Sequence, residues 1–268
     1  MSDHLPVGIH EERYLDVGDV RYHLVTDLAV PADDAPYLIK SPGMVRRYLA
    51  LFERLEPACL VELGIDSGAS TAVFADLAPQ AHLVAVDLAP DPPRTLARYI
   101  EERGAQDRVR PYYGVDQADR DRLTEIIELE FGDRPLDIVI DDASHLLGPT
   151  TSSFELLFPR LRPGGVFCIE DWEHDVRFTT AIAEAVAEKD PTADPHAEAL
   201  RSWRPGRPLI DLVMELVLVA ASSPDVVSGI TVNEYTTMVE RGPATLDPTS
   251  FALRDHRRDD FGLLRGSS

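Results

Sequence analysis

Five short apolar runs in the middle of the sequence constrain its fold more than any other feature. Each run is apolar at nearly every position, and segments with helical spacing of apolar residues separate them. Strands that are apolar throughout are buried on both faces, and strands that alternate with helices pair in parallel. The pattern therefore predicts an α/β fold with a doubly wound, mostly parallel sheet. The five runs are Cys59–Leu63, His82–Asp87, Val109–Tyr113, Leu136–Ile140 and Val166–Ile169.

The pattern changes after residue 171. Thr179–Glu188 has helical spacing, and the proline-rich segment 190–208 predicts a long loop or lid. Pro208–Ala221 predicts a helix that is apolar nearly all round, so it is buried either in its own domain or against a second copy of the chain. Val226–Val232 and Tyr235–Val239 are separated by two polar residues and predict an antiparallel hairpin at the sheet edge.

The composition excludes several kinds of partner. The chain has 268 residues, 44% of them hydrophobic, which is enough for one large domain with a full core. Its formal net charge of −21 repels the phosphates of nucleic acid, and no basic stripe offsets it. We find no run long enough to span a membrane and no signal peptide. Cys59 and Cys168 lie in apolar runs, which favours reduced cysteines and a cytoplasmic location.

We divide the chain into three parts. Residues 1–38 show no strong period apart from a short strand at Val20–Val25, and we assign them to an N-terminal extension that caps the substrate site. Residues 39–245 form the main domain, with a lid around residues 172–208. Residues 246–268 are a polar C-terminal tail.

Two of the apolar runs end in adjacent carboxylates. Asp141 and Asp142 follow the fourth run, and His145 comes three residues later; Glu170 and Asp171 end the fifth run. The carboxyl ends of parallel strands meet at one edge of a sheet, so these groups are expected to converge. Carboxylate oxygens suit Mg²⁺, and a histidine beside the ion suits a general base. The alternative is that both acidic pairs cap helices and the histidine lies at the surface.

A glycine-bearing turn follows the first apolar run. Gly64 and Gly68 would let the backbone approach a ligand closely, and the helix that follows favours negative groups at its N-terminus. The spacing differs from that of dinucleotide-binding enzymes. Glu62, at the strand end, would repel a pyrophosphate but suits a ligand with an ammonium group. An ordinary glycine turn is the alternative.

Polar residues also follow the second and third runs. Asp87 lies 19 residues after Gly68, where a carboxylate can accept both hydroxyls of a ribose. Asp116 and Gln117 are placed to contact an adenine edge. Helix capping is the alternative for Asp87 and Asp116.

The turn from Glu62 to Gly68, with Asp87, Asp116 and the carboxylates after the fourth run, resembles the class I S-adenosylmethionine-dependent methyltransferases. The resemblance covers roughly residues 40–240. It implies a seven-stranded sheet that ends in an antiparallel hairpin. It also implies a cofactor site in which the two glycines pass the methionine moiety and Asp87 holds the ribose. The implied cofactor-binding residues are Glu62, Gly64, Gly68, Asp87, Asp116, Gln117 and Asp141.

The later motifs carry a narrower resemblance. Asp141-Asp142-Ala-Ser-His145, followed by Ile169-Glu170-Asp171, is similar to the metal-dependent sugar O-methyltransferases of actinobacteria. These include macrolide deoxysugar enzymes and the mannoside methyltransferases of mycobacterial methylmannose polysaccharide synthesis. The resemblance implies that Asp142, Glu170 and Asp171 bind Mg²⁺ and that His145 is the general base. The chain departs from the pattern at Ala143, where a glycine is common, and in having one fewer glycine in the turn.

These features predict an S-adenosylmethionine- and Mg²⁺-dependent O-methyltransferase that acts on a sugar hydroxyl, as a homodimer. Methylation of a catechol or another small vicinal diol is an alternative, although the enzymes that this would resemble have a lysine where His145 stands. An NAD-dependent oxidoreductase and a catalytically silent cofactor-binding protein are two further alternatives.

Overall fold

The computed structural model describes residues 6–25, 36–174 and 208–258. The predicted helix at Thr179–Glu188 and all but the last residue of the predicted loop or lid at 190–208 lie outside these ranges. Of the helices within them, none combines the length and the apolar character needed to cross a membrane.

The N-terminal residues form a small sheet in which four strands pair in chain order. The sequence predicted only the third of them, at Val20–Val25. The turn between the first two strands uses Glu11 and Glu12 at positive φ, so it carries none of the glycine or asparagine that marks a turn in a sequence. The strands are β1 (Val7–His10), β2 (Tyr14–Val17), β3 (Val20–Leu24) and β4 (Tyr37–Leu38).

A seven-stranded sheet forms the centre of the main domain, in the order β10-β11-β9-β8-β5-β6-β7. The five strands from β9 to β7 in this order are parallel, and β11 is antiparallel to both of its neighbours. This confirms the predicted fold class, including the antiparallel hairpin. The elements are α1 (Pro42–Leu55), β5 (Cys59–Leu63), α2 (Ala69–Leu77), β6 (His82–Asp87), α3 (Arg94–Arg103), β7 (Val109–Tyr113), α4 (Arg120–Phe131), β8 (Leu136–Asp141), α5 (Leu147–Leu157), β9 (Leu161–Glu170), α6 (Ile210–Ser222), β10 (Val227–Val232) and β11 (Thr236–Arg241).

Helices cover both faces of this sheet. Successive strand residues point to opposite faces, so Leu60 packs with α1, α2 and α3, whereas Val61 packs with α4, α5 and α6. A third cluster joins the N-terminal sheet to α1 and α2 through Leu15 and Val17. Cys59 and Cys168 are free and buried, as predicted.

Asp137 is the one charged residue inside the apolar run of β8, and its carboxylate has three partners. It accepts hydrogen bonds from the backbone N–H groups of Ala58 and Cys59, at 2.8 and 2.9 Å, and it pairs with Arg162. These bonds fix the start of β5 beside β8. Strand β9 begins at Leu161 and runs through Arg162–Gly165 with an irregularity in its pairing to β8, where Gly164 has φ +79°.

Helix α6 buries one face in its own domain. Leu212 and Leu216 lie in the core below the sheet, whereas Met214 and Val217 are exposed. The helix is therefore not buried all round within one chain, and the homodimer stays a prediction. Part of the predicted tail also packs in the core, since Phe251 and Leu253 are buried there.

Candidate active site

The ends of β8 and β9 lie side by side, because the two strands are parallel neighbours. The residue after each strand stays bonded to the sheet: the N–H of Asp142 donates to the Leu63 carbonyl, and that of Asp171 to the Tyr235 carbonyl, both at 2.8 Å. Asp171 has φ +49°, a left-handed conformation that a non-glycine residue seldom adopts. The chain thus turns sharply where the paired carboxylates begin.

Three predicted site residues converge at this edge. Within the described part of the chain, Asp142, His145 and Asp171 are the group of side chains that could hold a metal ion, and each offers one ligand atom within 4.8 Å of the others. The His145 Nε2 atom lies 4.0 Å from Asp142 Oδ1, and the His174 ring is centred 5.5 Å from the His145 ring. His145 also has a left-handed backbone, at φ +54°. Strain of this kind is found where the surrounding structure fixes a functional residue.

Glu170, the remaining predicted metal ligand, is not in this group. Its carboxylate is buried and accepts hydrogen bonds from Lys40 Nζ at 2.7 and 2.6 Å and from the Tyr48 hydroxyl at 2.5 Å. Lys40 Nζ also lies 3.1 Å from Asp142 Oδ2. One ammonium group therefore links carboxylates at the ends of the two strands, and the role of Glu170 as a ligand stays a prediction.

Lys40 was not among the predicted site residues. Burial by itself would lower the pKa of Lys40, but the charges of Asp142 and Glu170 outweigh it and raise the pKa, so the ammonium keeps its proton. One signal was available, since the chain has only two lysines among 26 basic residues and this one directly precedes a helix start. Its partners lie 102 and 130 residues away, and no local pattern reveals such a contact.

Glu62 is buried on β5, and its Oε2 atom has no hydrogen-bond partner among the described residues. Burial raises the pKa of Glu62 to about 7, and the nearby hydroxyls of Ser70 and Thr71 oppose this rise. A buried carboxyl oxygen without a partner is costly unless a ligand supplies a donor. The structure thus leaves this oxygen able to accept a hydrogen bond from an ammonium group.

The two glycines of the turn are required by contacts within the chain. A Cβ atom at Gly64 would lie 2.1 Å from the Asp142 carbonyl oxygen, and one at Gly68 would lie 2.5 Å from the Leu96 Cβ. Both glycines have positive φ, at +94° and +81°. The turn is therefore packed against the acidic strand end on one side and against α3 on the other.

Asp87, the last residue of β6, holds the same turn through its carboxylate. Its Oδ2 atom accepts hydrogen bonds from the N–H groups of Ile65 and Asp66, at 2.7 and 3.0 Å, and its Oδ1 atom accepts one from Ala89 at 2.7 Å. Each oxygen can accept two hydrogen bonds, so Oδ1 retains capacity for a ribose hydroxyl. Ribose binding by Asp87 stays a prediction. In the structure, its carboxylate fixes the turn.

Gln117 and Asp141 are buried and bonded to each other. The Gln117 amide donates to Asp141 Oδ2 at 2.9 Å and accepts from the Ser144 N–H at 2.8 Å, and the Ser153 hydroxyl donates to Asp141 at 2.8 Å. Burial raises the pKa of Asp141 to about 6. Asp116 is exposed and accepts from a backbone N–H two residues on. The network fixes the loop that carries His145, while contact of these residues with a cofactor stays a prediction.

Comparison with known sequences agrees with this geometry. Residues 61–172 match a family described as a methyltransferase domain. A 3'-O-methyltransferase of a rhamnosyl tetracenomycin from Streptomyces olivaceus is 34% identical over 126 residues, which are 44% of this chain and 28% of that protein. The mycinamicin VI 2''-O-methyltransferase of Micromonospora griseorubida is 40% identical over 74 residues, 22% of this chain and 18% of that protein. The matched segments thus span less than a third of either relative.

Solved structures share the fold. A methyltransferase of the mycinamycin biosynthetic pathway, solved in complex with Mg, SAH and mycinamycin VI, aligns with a TM-score of 0.50 at 21% identity, over 83% of this chain and 51% of that one. An SAH-bound methyltransferase of Podospora anserina aligns with a TM-score of 0.50 at 15% identity, over 76% of this chain and 80% of that one. The order of the seven strands agrees with the fold of these structures, and residues 61–172 match a methyltransferase domain.

Proposed function

We propose that the protein is an S-adenosylmethionine- and Mg²⁺-dependent O-methyltransferase that acts on a sugar hydroxyl. The observation that carries the proposal is the convergence of Asp142, His145 and Asp171 at the ends of β8 and β9. These residues lie directly against the glycine turn, since Gly64 contacts the Asp142 backbone. Acidic groups, a histidine and a cofactor turn thus meet at one edge of the sheet.

The residues of the turn fit the cofactor. The buried Glu62 oxygen without a partner suits the ammonium group of the methionine moiety, and Asp87 Oδ1 can still accept a ribose hydroxyl. S-adenosylmethionine, when bound, supplies an electrophilic methyl group on a sulfonium. The chain would hold it through the predicted set Glu62, Gly64, Gly68, Asp87, Asp116, Gln117 and Asp141.

The acidic edge fits a divalent cation. Asp142 and Asp171 offer carboxylate oxygens beside each other, and Glu170 lies next to Asp142 through the shared Lys40 contact. Oxygen ligands of this kind suit Mg²⁺. A bound Mg²⁺ lowers the pKa of a hydroxyl that it coordinates. We assign Asp142, Glu170 and Asp171 to hold the ion.

His145 would accept the proton of the acceptor hydroxyl. Its Nε2 atom lies on the Asp142 side, and a neighbouring carboxylate stabilises the imidazolium that forms. As the proton leaves for His145, the hydroxyl oxygen forms a bond to the methyl carbon and the carbon–sulfur bond breaks, which leaves SAH. The bonds from Gln117 to Ser144 and Asp141 keep the His145 loop in place.

The acceptor class is inferred from the relatives. Three of them are named as O-methyltransferases of a rhamnosyl tetracenomycin, of mycinamicin VI and of an olivosyl-oleandolide. A deoxysugar on a natural product is therefore our first choice, ahead of the mannoside that the sequence also predicted. No described residue favours a catechol over a sugar.

A methyl-transfer assay tests the proposal. The protein is incubated with Mg²⁺ and labelled S-adenosylmethionine, with rhamnosides and other deoxysugar glycosides, mannosides and a catechol as separate acceptors. We expect label on a sugar hydroxyl, loss of transfer in EDTA and recovery with added Mg²⁺. Transfer to the catechol alone would overturn the acceptor class, and full activity in EDTA would remove the metal from the reaction. Calorimetry with NAD tests the oxidoreductase alternative.

A further inference from the structure

Lys40 brings a buried positive charge to the acidic edge of the sheet, and its backbone is fixed from two sides. Its N–H donates to the Leu38 carbonyl of β4 at 2.9 Å, and the next residue, Ser41, caps α1 by accepting a hydrogen bond from the Met44 N–H. The Lys40 side chain is only 3% exposed. The ammonium group is therefore held in place by the N-terminal sheet and by the start of one helix.

All three N–H bonds of this ammonium group have acceptors. Lys40 Nζ donates to Glu170 Oε1 and Oε2, at 2.7 and 2.6 Å, and to Asp142 Oδ2 at 3.1 Å. Glu170 in turn accepts a hydrogen bond from the Tyr48 hydroxyl at 2.5 Å. An ammonium group has three donors, so Lys40 has none left for a substrate. Its effect on the site must therefore pass through Asp142, while Glu170 and Tyr48 anchor it.

The hydrogen bond from Lys40 distinguishes the two oxygens of Asp142. Oδ2 accepts from Lys40, whereas Oδ1 lies 4.0 Å from His145 Nε2 and accepts no hydrogen bond from a described residue. Among the described residues, Lys40 is also the only donor to this carboxylate. The Asp142 side chain is 27% exposed, so packing by itself leaves it room to rotate. One bond thus decides which oxygen of Asp142 is turned towards His145.

We propose that Lys40 is a positioning residue that orients the Asp142 carboxylate for metal binding, with Oδ1 on the side of His145. The inference rests on the proposed function, in which Asp142 and Asp171 hold Mg²⁺. It does not require Glu170 to bind the ion, because Glu170 acts here as the anchor of the ammonium group. The N-terminal sheet then contributes to the metal site, since β4 fixes the backbone of Lys40.

Lys40 would affect a bound cation in two opposite ways, and this makes the inference testable. Its positive charge repels Mg²⁺, so removing it strengthens binding if charge is all that matters. Groups that orient a metal ligand typically contribute about 10–100-fold to metal affinity, so removing an orienting group weakens binding. The sign of the change in affinity therefore separates the two roles. A role in folding alone would lower the unfolding temperature and leave the Mg²⁺ affinity of the folded protein unchanged.

The experiment is calorimetric titration of the full chain with Mg²⁺, for the wild type, Lys40→Met, Asp142→Asn and the double variant. We expect Lys40→Met to weaken Mg²⁺ binding about tenfold or more, against the direction of its charge change. In the Asp142→Asn background, the same substitution should cause no further loss, because the carboxylate that Lys40 orients is already gone. Arg98→Met removes an ion-paired but exposed charge on α3 and should keep the wild-type affinity.

Tyr48→Phe is a second variant that leaves the charge unchanged. It removes the hydroxyl that anchors Glu170, so Lys40 is held less firmly and Mg²⁺ binding should weaken by a smaller factor than in Lys40→Met. Should Lys40→Met fail to fold in a circular dichroism melt, Tyr48→Phe decides in its place, with and without Asp142→Asn. An unchanged affinity in Tyr48→Phe would then overturn the inference.

The outcomes also separate the inference from the function on which it rests. If the wild type binds no Mg²⁺, the metal in the proposed function is wrong and the inference falls with it. If the wild type binds Mg²⁺ and Lys40→Met binds it as tightly or more tightly, the metal site stands and Lys40 does not position its ligand. If Lys40→Met weakens binding equally with and without Asp142→Asn, Lys40 acts through another group, and the inference is again overturned.

Discussion

Gly64 lies in direct contact with the backbone of Asp142, and this contact joins the glycine turn after β5 to the acidic end of β8. A Cβ atom at Gly64 would lie 2.1 Å from the Asp142 carbonyl oxygen and 2.7 Å from its carbonyl carbon. Backbone atoms at this distance cannot swing aside as the end of a long side chain can. The position of the Asp142 carboxylate therefore depends on the absence of a side chain at residue 64.

Gly64→Ala should destabilise the fold and impair metal binding together. The added methyl group forces the two backbones apart, and φ +94° is unfavourable for alanine, so we expect a loss of at least about 2 kcal/mol in the free energy of unfolding. Gly114→Ala is the matched control: it also has positive φ, but a Cβ there meets nothing within 4 Å. Denaturant unfolding measures both variants. Equal losses would show that the contact with Asp142 contributes nothing beyond backbone strain.

His145→Asn should remove most of the turnover while cofactor binding persists. Asparagine tolerates the left-handed backbone at this position, so the loop keeps its shape and only the base is lost. A positioned general base contributes about 10²–10⁴-fold to a rate. Single-turnover rates and SAH calorimetry separate the two effects.

His174→Asn identifies which of the two neighbouring histidines is the base, because their rings are 5.5 Å apart. We expect this variant to keep turnover within about tenfold of the wild type, well short of the loss expected for a general base. A larger loss in His174→Asn than in His145→Asn would reverse the assignment.

Gln117→Met should destabilise the loop that carries His145. The methionine has a similar length but leaves the Ser144 N–H without an acceptor and Asp141 with one donor fewer. Leaving a buried polar group unpaired costs about 1–3 kcal/mol. Ser152→Ala, at a half-buried position of α5 whose hydroxyl makes only a 3.5 Å contact with the Ala118 carbonyl, is the control and should unfold nearly as the wild type does. An unchanged unfolding midpoint for Gln117→Met would show that the network contributes nothing to stability.

The sequence was sufficient to predict the seven-stranded sheet and the convergence of acidic groups at one edge of it. Leu60 and Val61 belong to a run that is apolar on both faces, and the carboxylates after β8 and β9 must meet once the strands are parallel neighbours. Strand ends are local features, and their juxtaposition follows from topology. The same reasoning could not show that Glu170 is held by Lys40, because that contact depends on how the N-terminal sheet packs on α1.

The two glycines of the turn show a second limit of prediction from the sequence. The sequence singled out Gly64 and Gly68 for close approach to a ligand, yet the atoms that exclude a side chain belong to Asp142 and Leu96. A motif can identify a position where space is short without showing what fills it. Gln117 is a similar case, since its amide groups bond within the chain, where the sequence predicted contact with adenine.

Binding of SAH should strengthen as the pH rises towards 7, because of Glu62. Burial raises the pKa of this carboxyl to about 7 in the free protein, so below pH 7 it is mostly protonated and neutral. The ammonium group of the ligand pairs with the carboxylate form, so binding at low pH must first release a proton. Affinity should therefore fall about tenfold for each pH unit below 7 and level off above it. Titrations between pH 5.5 and about 7.5 keep the α-amino group of the ligand protonated.

Glu62→Gln makes this pH dependence a test of the residue. Glutamine has the same shape and no titrating proton, so the variant should bind SAH weakly and should lose the part of the pH dependence that comes from Glu62. Calorimetry in two buffers of different ionisation enthalpy counts the protons released, and at pH 6 we expect the wild type to release close to one proton more than the variant, in which only Asp141 still titrates near this pH. A wild-type affinity that is constant from pH 5.5 to 7.5 would show that Glu62 does not pair with the ligand, and the cofactor assignment at β5 would have to be abandoned.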